Sequence, residues 1–274
     1  MKFVLLAFLV SLPSFADVLQ GKIHSIEEVK GSGEYLIKFE NGRVAFTKDA
    51  GILNKGHAIK GKLNKKLELT SYRVLSEDED ANAIPSPLSL EPANENYQPT
   101  ILTQEQLQDF WRNLKTDYTR KSECSDRAFI WAFEGWKKHG YQTEMVYAFF
   151  TASYINRNRF KWWFHVAPLL SVKVGDKIEK YVIDHQFLDR PVTIREWTDL
   201  MVFSKRECRP TDKFSEYDVN PQTEDCYLMI DSMYYRIPAY LSDKEKKNIH
   251  KTEFNAGEVR MSYGLGFKTG ADSL

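Results

Sequence analysis

The 274-residue chain has no excess of charge of either sign, since 38 Lys and Arg stand against 38 Asp and Glu. With a formal charge of zero, no global field draws it to nucleic acid or to an anionic membrane surface, so neither partner is expected. It has no glycine-rich phosphate loop and no internal repeat. Clustered metal donors are missing as well. A zinc site needs three or four ligands, and the one adjacent pair, Asp184-His185, sends its side chains apart. No cofactor and no metal are expected.

Long apolar runs are absent too, apart from residues 3–12 near the start. That run follows Lys2 and is too short for a permanent span. It precedes the small residues Ser14 and Ala16, where a signal peptidase reads. Residues 1–16 therefore read as a signal peptide, and the mature protein as secreted or periplasmic. A buried first strand is the competing reading of the same run.

Cysteine is scarce: Cys124, Cys208 and Cys226 only. In an oxidising compartment an odd count leaves one thiol free. Cys208 and Cys226 flank a polar stretch rich in turn residues, where a disulfide closes easily and contributes roughly 3 kcal/mol. By elimination Cys124 is the unpaired thiol.

What is present divides the chain. Residues 17–75 read as a small all-β, barrel-like module of about four or five strands. Within it Asn41-Gly42 signals a two-residue hairpin that sets Phe39 opposite Val44 and Ile37 opposite Phe46. His24 and His57 are expected at its surface or rim. Residues 76–100 carry four of the ten prolines and six acids without one Lys or Arg. Such a composition buries no core and reads as an exposed linker.

Residues 101–274 read as an α+β domain, helices first and antiparallel strands after. Thr103 and Gln106 have capping-box form, with Leu102 and Leu107 placed as a hydrophobic staple. Leu107, Phe110, Trp111 and Leu114 recur at helical spacing. A second helix is expected from about Ser122 to His139, stopping at Gly140, with strands at 144–151, 162–174 and 179–187.

Cys124 falls in the first turn of the second helix. Free N–H groups and the positive helix end there favour a thiolate and could hold an oxyanion. A small buried apolar role for Cys124 stays open on these grounds. His165 lies in an apolar strand, and a turn at Gly175-Asp176 makes paired residue numbers sum to 351. Asp184 then shares the face of His165 as its diagonal neighbour, close enough to orient the imidazole. A polar pair at a sheet edge is the alternative. His185 points to the opposite face, His139 sits at a helix end, and His250 lies in a solvated run. Arg127, one turn after Cys124, is expected in a structural salt bridge.

At this point the residues resemble a known family. Cys124-Ser125-Asp126-Arg127-Ala128, with the aromatic-rich helix ending at His139-Gly140-Tyr141, resembles the nucleophile helix of bacterial protein-glutaminases. Phe164-His165-Val166-Ala167 resembles its base strand and Val182-Ile183-Asp184 its acid strand. Pro191-Val192-Thr193 with Trp197, and residues 234–238, resemble stretches further along. The likeness runs in order over about residues 105–255. Two positions depart from the pattern: Phe129 stands where a histidine is frequent, and His185 follows the acid where proline is common.

The resemblance implies a papain- and transglutaminase-like core in which Cys124, His165 and Asp184 form a triad. It implies deamidation of protein-bound glutamine through a thioester, on substrate proteins bearing exposed glutamine. It also implies export with an N-terminal pro-region over the active site and an activating protease that cuts the linker. A monomer is expected. A cysteine protease or transglutaminase-like acyl transferase would use the same thioester, and an exported binding protein would use none; these readings stay open on sequence alone.

Overall fold

The computed structural model describes residues 17–76, 97–219 and 224–269. The expected signal segment and most of the expected linker lie outside them.

Strand β1 (Asp17–Val29) is long enough to serve two partners. Its first half pairs with β4 (Ala58–Leu63) and its second half with β2 (Glu34–Phe39), with the register shifting between Ile23 and Ser25. Strands β3 (Val44–Thr47) and β5 (Leu69–Val74) give the order β3-β2-β1-β4-β5. The Phe46 N–H donates to the Leu67 carbonyl at 2.8 Å, which brings the two edges of this sheet together. Leu19, Ile23, Leu36, Phe39, Phe46 and Ile59 fill its interior.

The β2–β3 hairpin differs from the sequence expectation by one residue. Ile37 faces Ala45 and Lys38 faces Val44, while the Phe39 N–H donates to the Arg43 carbonyl. The loop is therefore Glu40-Asn41-Gly42. Among its residues only Gly42 takes a positive φ, +87°, whereas a two-residue type I′ turn needs two such residues. A three-residue loop with glycine in the left-handed position suits that backbone, and it slips the pairing by one.

The second part of the chain runs β6 (Ile101–Leu102), α1 (Gln104–Arg112), α2 (Cys124–His139), β7 (Glu144–Phe150), α3 (Ala152–Asn158), β8 (Phe164–Val174) and β9 (Lys177–Val182). It continues β10 (Val192–Thr193), α4 (Ile194–Met201), β11 (Arg209–Pro210), α5 (Phe214–Val219), β12 (Cys226–Ser232), α6 (Pro238–Lys247) and α7 (Ala256–Gly266). The sheet order is β10-β9-β8-β7-β12-β11, with β6 parallel to β8. The architecture is mixed α and β. Thr103 caps α1 in a complete capping box. Leu102, Leu107 and Phe110 pack with Leu170, Val172 and Ile183 of the sheet in a small cluster of their own.

Helix α2 stops at Gly140, whose φ of 70° places it in the left-handed region, and Lys137, Lys138 and His139 complement the negative helix end. It begins at Cys124, two residues later than expected, because Ser122 does not cap it. The Ser122 hydroxyl accepts from Arg127 instead. Helix α2 lies against β8 and α7.

The two parts share one apolar core. The Trp163 indole N–H donates to the Phe39 carbonyl at 2.6 Å. His24 stacks on Trp163 with ring centroids 4.6 Å apart, so it is a buried histidine between the two sheets and not the surface residue expected. Lys38 is buried on Glu27 at 2.7 Å, beneath the Tyr217 and Trp163 rings. Arg159 pairs with Glu34 at 2.9 Å and lies 4.0 Å over Phe46. The hairpin turn also touches the strand leading into β8: the Val44 N–H donates to the Lys161 carbonyl, and the Trp163 N–H to the Gly42 carbonyl. A Cβ at Gly42 would come within 3.1 Å of the Phe164 ring, which fixes glycine there.

Candidate active site

The elements bring Cys124, His165 and Asp184 together. Cys124 opens α2 as its first helical residue and is the free cysteine, 6% exposed. The cap residue Glu123 makes no side-chain cap. Its own N–H is taken by the Asp126 carboxylate, which Arg236 holds at 2.8 Å and Ser262 also contacts. This buried pair fixes the head of the helix while no side-chain cap covers its first N–H groups.

His165 faces Ala148 across the β7–β8 ladder. Asp184 lies two residues past the end of β9, whose pairing with β8 runs from Val174–Lys177 to Leu169–Val182 and keeps the sum of 351. The His165 Nε2 and the Asp184 Oδ2 are 2.6 Å apart, both side chains fully buried. Cys124 acts on the same imidazole, through its charge and a side-chain hydrogen bond. Burial would by itself strip the proton from His165. The charge of Asp184, with that of Cys124 behind it, outweighs burial and raises the imidazole pKa to about 9. Asp184 is pushed up by burial, but His165 and the hydrogen bonds it accepts hold it below the usual carboxylate range.

Sequence reasoning missed how Asp184 is held. The Trp197 indole N–H, from α4, donates to the same Oδ2 at 2.9 Å. Trp197 is fully buried and stacks along His165 at 5.5 Å, while Phe187 meets the imidazole edge-on at 5.1 Å. Helix α4 owes its start to a Thr193–Glu196 capping box, a sequence signal that could have located it. Arg127 is in no salt bridge among the described residues. The ion pair expected of it belongs to its neighbour Asp126, and Arg127 bonds the Ser122 carbonyl and hydroxyl. His185 stands apart from the three, against Trp111 and within 3.4 Å of the Tyr118 hydroxyl.

A cleft of about 370 Å³ runs past the head of α2. Glu123, Ser125, Asp126 and Arg236 line one wall, and Gln20, Asn41, Arg43 and Lys60 of the N-terminal sheet line the other. Among the described residues no helix is long and apolar enough to cross a membrane, and no cluster of His, Cys, Asp and Glu is arranged to hold a metal ion. Cys208 and Cys226 form a disulfide.

Residues 101–201 match the family model Gln_deamidase_2, described as glutaminase. The matched segment contains Cys124, His165, Asp184 and Trp197 together, and the likeness supports a hydrolase acting on amide bonds. In fold the whole chain is similar to a crystal structure of a pro-protein-glutaminase, at 13% identity and a TM-score of 0.51, covering 93% of this chain and 94% of that one. A mutant of a pro-protein-glutaminase gives 12% identity, the same TM-score, and 90% coverage of each chain. No curated protein matches the sequence.

Proposed function

We propose that the protein deamidates glutamine side chains of other proteins, with Cys124 as nucleophile, His165 as acid and base, and Asp184 as the group that orients His165. The observation that carries this reading is the 2.6 Å contact of His165 with Asp184, with the free Cys124 thiol at a helix head acting on the same imidazole.

The Cys124 thiolate attacks the carboxamide carbon of a bound glutamine, and N–H groups in the first turn of α2 receive the developing oxyanion. Protonated His165 gives its proton to the departing ammonia, leaving a thioester on Cys124. Neutral His165 then takes a proton from water, which attacks the thioester. Glutamate leaves, and the proton returns to the thiolate–imidazole pair. Asp184, steadied by Trp197, holds the imidazole in place through both steps. The net change is glutamine and water to glutamate and ammonia, with no cofactor.

Residues 1–16 act as an export signal in this reading, and residues 17–75 as a pro-region that stands over the head of α2. Cleavage in the linker starts activation. The wall that Gln20, Asn41 and Arg43 form beside Glu123 and Ser125 supports that role. Incubating the protein, after linker cleavage and removal of the N-terminal sheet, with a glutamine-rich substrate protein, then mapping its peptides by mass, tests the reaction. Glutamine-to-glutamate conversion without cleavage or cross-linking is expected. Chain cleavage would make the protein a protease, cross-linking would make it an acyl transferase, and no change at all would contradict the reading.

A further inference from the structure

Two positively charged walls meet in the cleft at the head of α2, although the chain as a whole carries no net charge. Lys22, Arg43 and Lys60 line it from the N-terminal sheet, and Arg120, Lys121 and Arg236 from the other side. The register of β1 with β4 sets Gln20 opposite Lys60 and Lys22 opposite Ala58. Lys22 and Lys60 are therefore diagonal neighbours on one face of the sheet, roughly 7–8 Å apart at the backbone. On the other wall, Arg120 and Lys121 belong to a turn tied to the end of α7. The Thr119 N–H donates to the Gly266 carbonyl at 3.0 Å, and the Lys121 N–H to the Thr119 hydroxyl at 3.1 Å.

Only part of this charge is compensated. Arg43 pairs with Asp17 at 2.6 Å and Arg236 with Asp126 at 2.8 Å. Lys22, Lys60, Arg120 and Lys121 are in no ion pair among the described residues. Glu40 and Glu123 also line the cleft. Burial pushes the Glu123 carboxyl up to about 7, so near neutral pH it carries only part of a charge. Arg236 is 8% exposed, and its Nε is buried without a hydrogen-bond partner. A buried donor left unpaired is costly, and an acceptor beside it removes that cost. A cleft lined by charge of one sign focuses its field and concentrates counter-ions.

We propose that this cleft binds a small multivalent oxyanion of the diphosphate class, which bridges the two walls and tacks the N-terminal sheet onto the head of α2. Its volume of about 370 Å³ is at the lower end of small-ligand sites. Lysine ammonium groups act on phosphoryl oxygens as point charges, and the Arg120 guanidinium offers a planar fork of donors. Unpaired cations on both walls select a ligand with charge at both ends, which a single monovalent ion lacks. Binding involves no covalent step, and the inference does not depend on the reaction assigned to Cys124.

Calorimetric titration of sodium diphosphate into the full, uncleaved chain tests it, with sodium chloride holding the ionic strength constant. One site per chain is expected, with inorganic phosphate bound about tenfold more weakly. Lys22→Ala with Lys60→Ala strips one wall, and Arg120→Ala with Lys121→Ala strips the other. Each pair should weaken diphosphate binding about tenfold or more. Diphosphate should also raise the urea concentration at which the linker-cleaved protein comes apart into two pieces, and should not do so in either double variant. No binding to wild type, binding unchanged in both double variants, or weakening in only one of them would overturn the proposal. A urea midpoint that diphosphate leaves in place would do the same. If a double variant does not fold, Lys60→Ala and Arg120→Ala alone should each weaken binding several-fold, and an unchanged affinity in either would count against the bridge. Neither readout involves ammonia release, so this proposal and the deamidase reading fail independently.

Discussion

Trp197 and His165 meet on one oxygen, the Oδ2 of Asp184, at 2.9 and 2.6 Å. An oxygen shared by a charged and a neutral donor cannot rotate away from either without losing both. The carboxylate is thereby aligned with the imidazole. Trp197→Phe keeps the ring against His165 and removes the N–H donor. Activity is expected to fall about tenfold in kcat with KM little changed, as for loss of one hydrogen bond to a charged group. Steady-state ammonia release checks it, and a change confined to KM would contradict it.

The His165–Asp184 pair also predicts a pH dependence of stability. The folded-state pKa of His165 is raised from 6.5 to about 9. Its contribution is therefore complete below 6.5 and is lost as pH rises toward 9. The thermal midpoint should fall by a few degrees across that window. In Asp184→Asn, which removes the charge that raises His165, the fall over the same window should be flatter. Calorimetry on both proteins decides between these.

His24 has the opposite sign. Burial against Trp163, helped by Lys55 and Lys38, lowers its pKa from 6.5 to about 4. Its contribution is present above 6.5 and is lost as pH falls from 6.5 through 4, by roughly 3 kcal/mol. The N-terminal sheet should loosen from the rest in mild acid. Hydrogen exchange at β1 and β2 is expected to accelerate below about pH 6 in wild type and to change less in His24→Phe.

Parts of this architecture are legible in the sequence because short-range chemistry dictates them. The Thr103 cap, the Gly140 stop and the 351 register of β8 with β9 each follow from a few neighbouring residues. The contact between His165 and Asp184 follows from that register. What escapes is set by distant partners. Asn41-Gly42 signals a hairpin, but the choice of a three-residue loop goes with Gly42 lying against Phe164 far along the chain. His24 looks like a surface residue until Trp163 covers it. Helices α3 to α7 are short, and aromatic side chains such as Tyr154, Trp197, Tyr217, Tyr240 and Tyr263 root them in the core rather than a long periodic face.

Cutting the linker should not by itself separate the two parts. The N-terminal sheet shares its core with the second part of the chain through Trp163, Lys38 and Arg159. The nicked protein is expected to elute as one species in native buffer and as two pieces in denaturant. Elution as two species in native buffer would show that the buried contacts do not hold them.

The central claim is that Cys124, activated by His165 and Asp184, hydrolyses glutamine carboxamides. The most direct measurement is ammonia release from a glutamine-containing protein after linker cleavage and removal of the N-terminal sheet. Wild type is compared with Cys124→Ala, His165→Asn and Asp184→Asn. The account predicts release by wild type, none above background for Cys124→Ala and His165→Asn, and a loss of a hundredfold or more, on the order seen for orienting groups, for Asp184→Asn. Equal release by wild type and Cys124→Ala would contradict it.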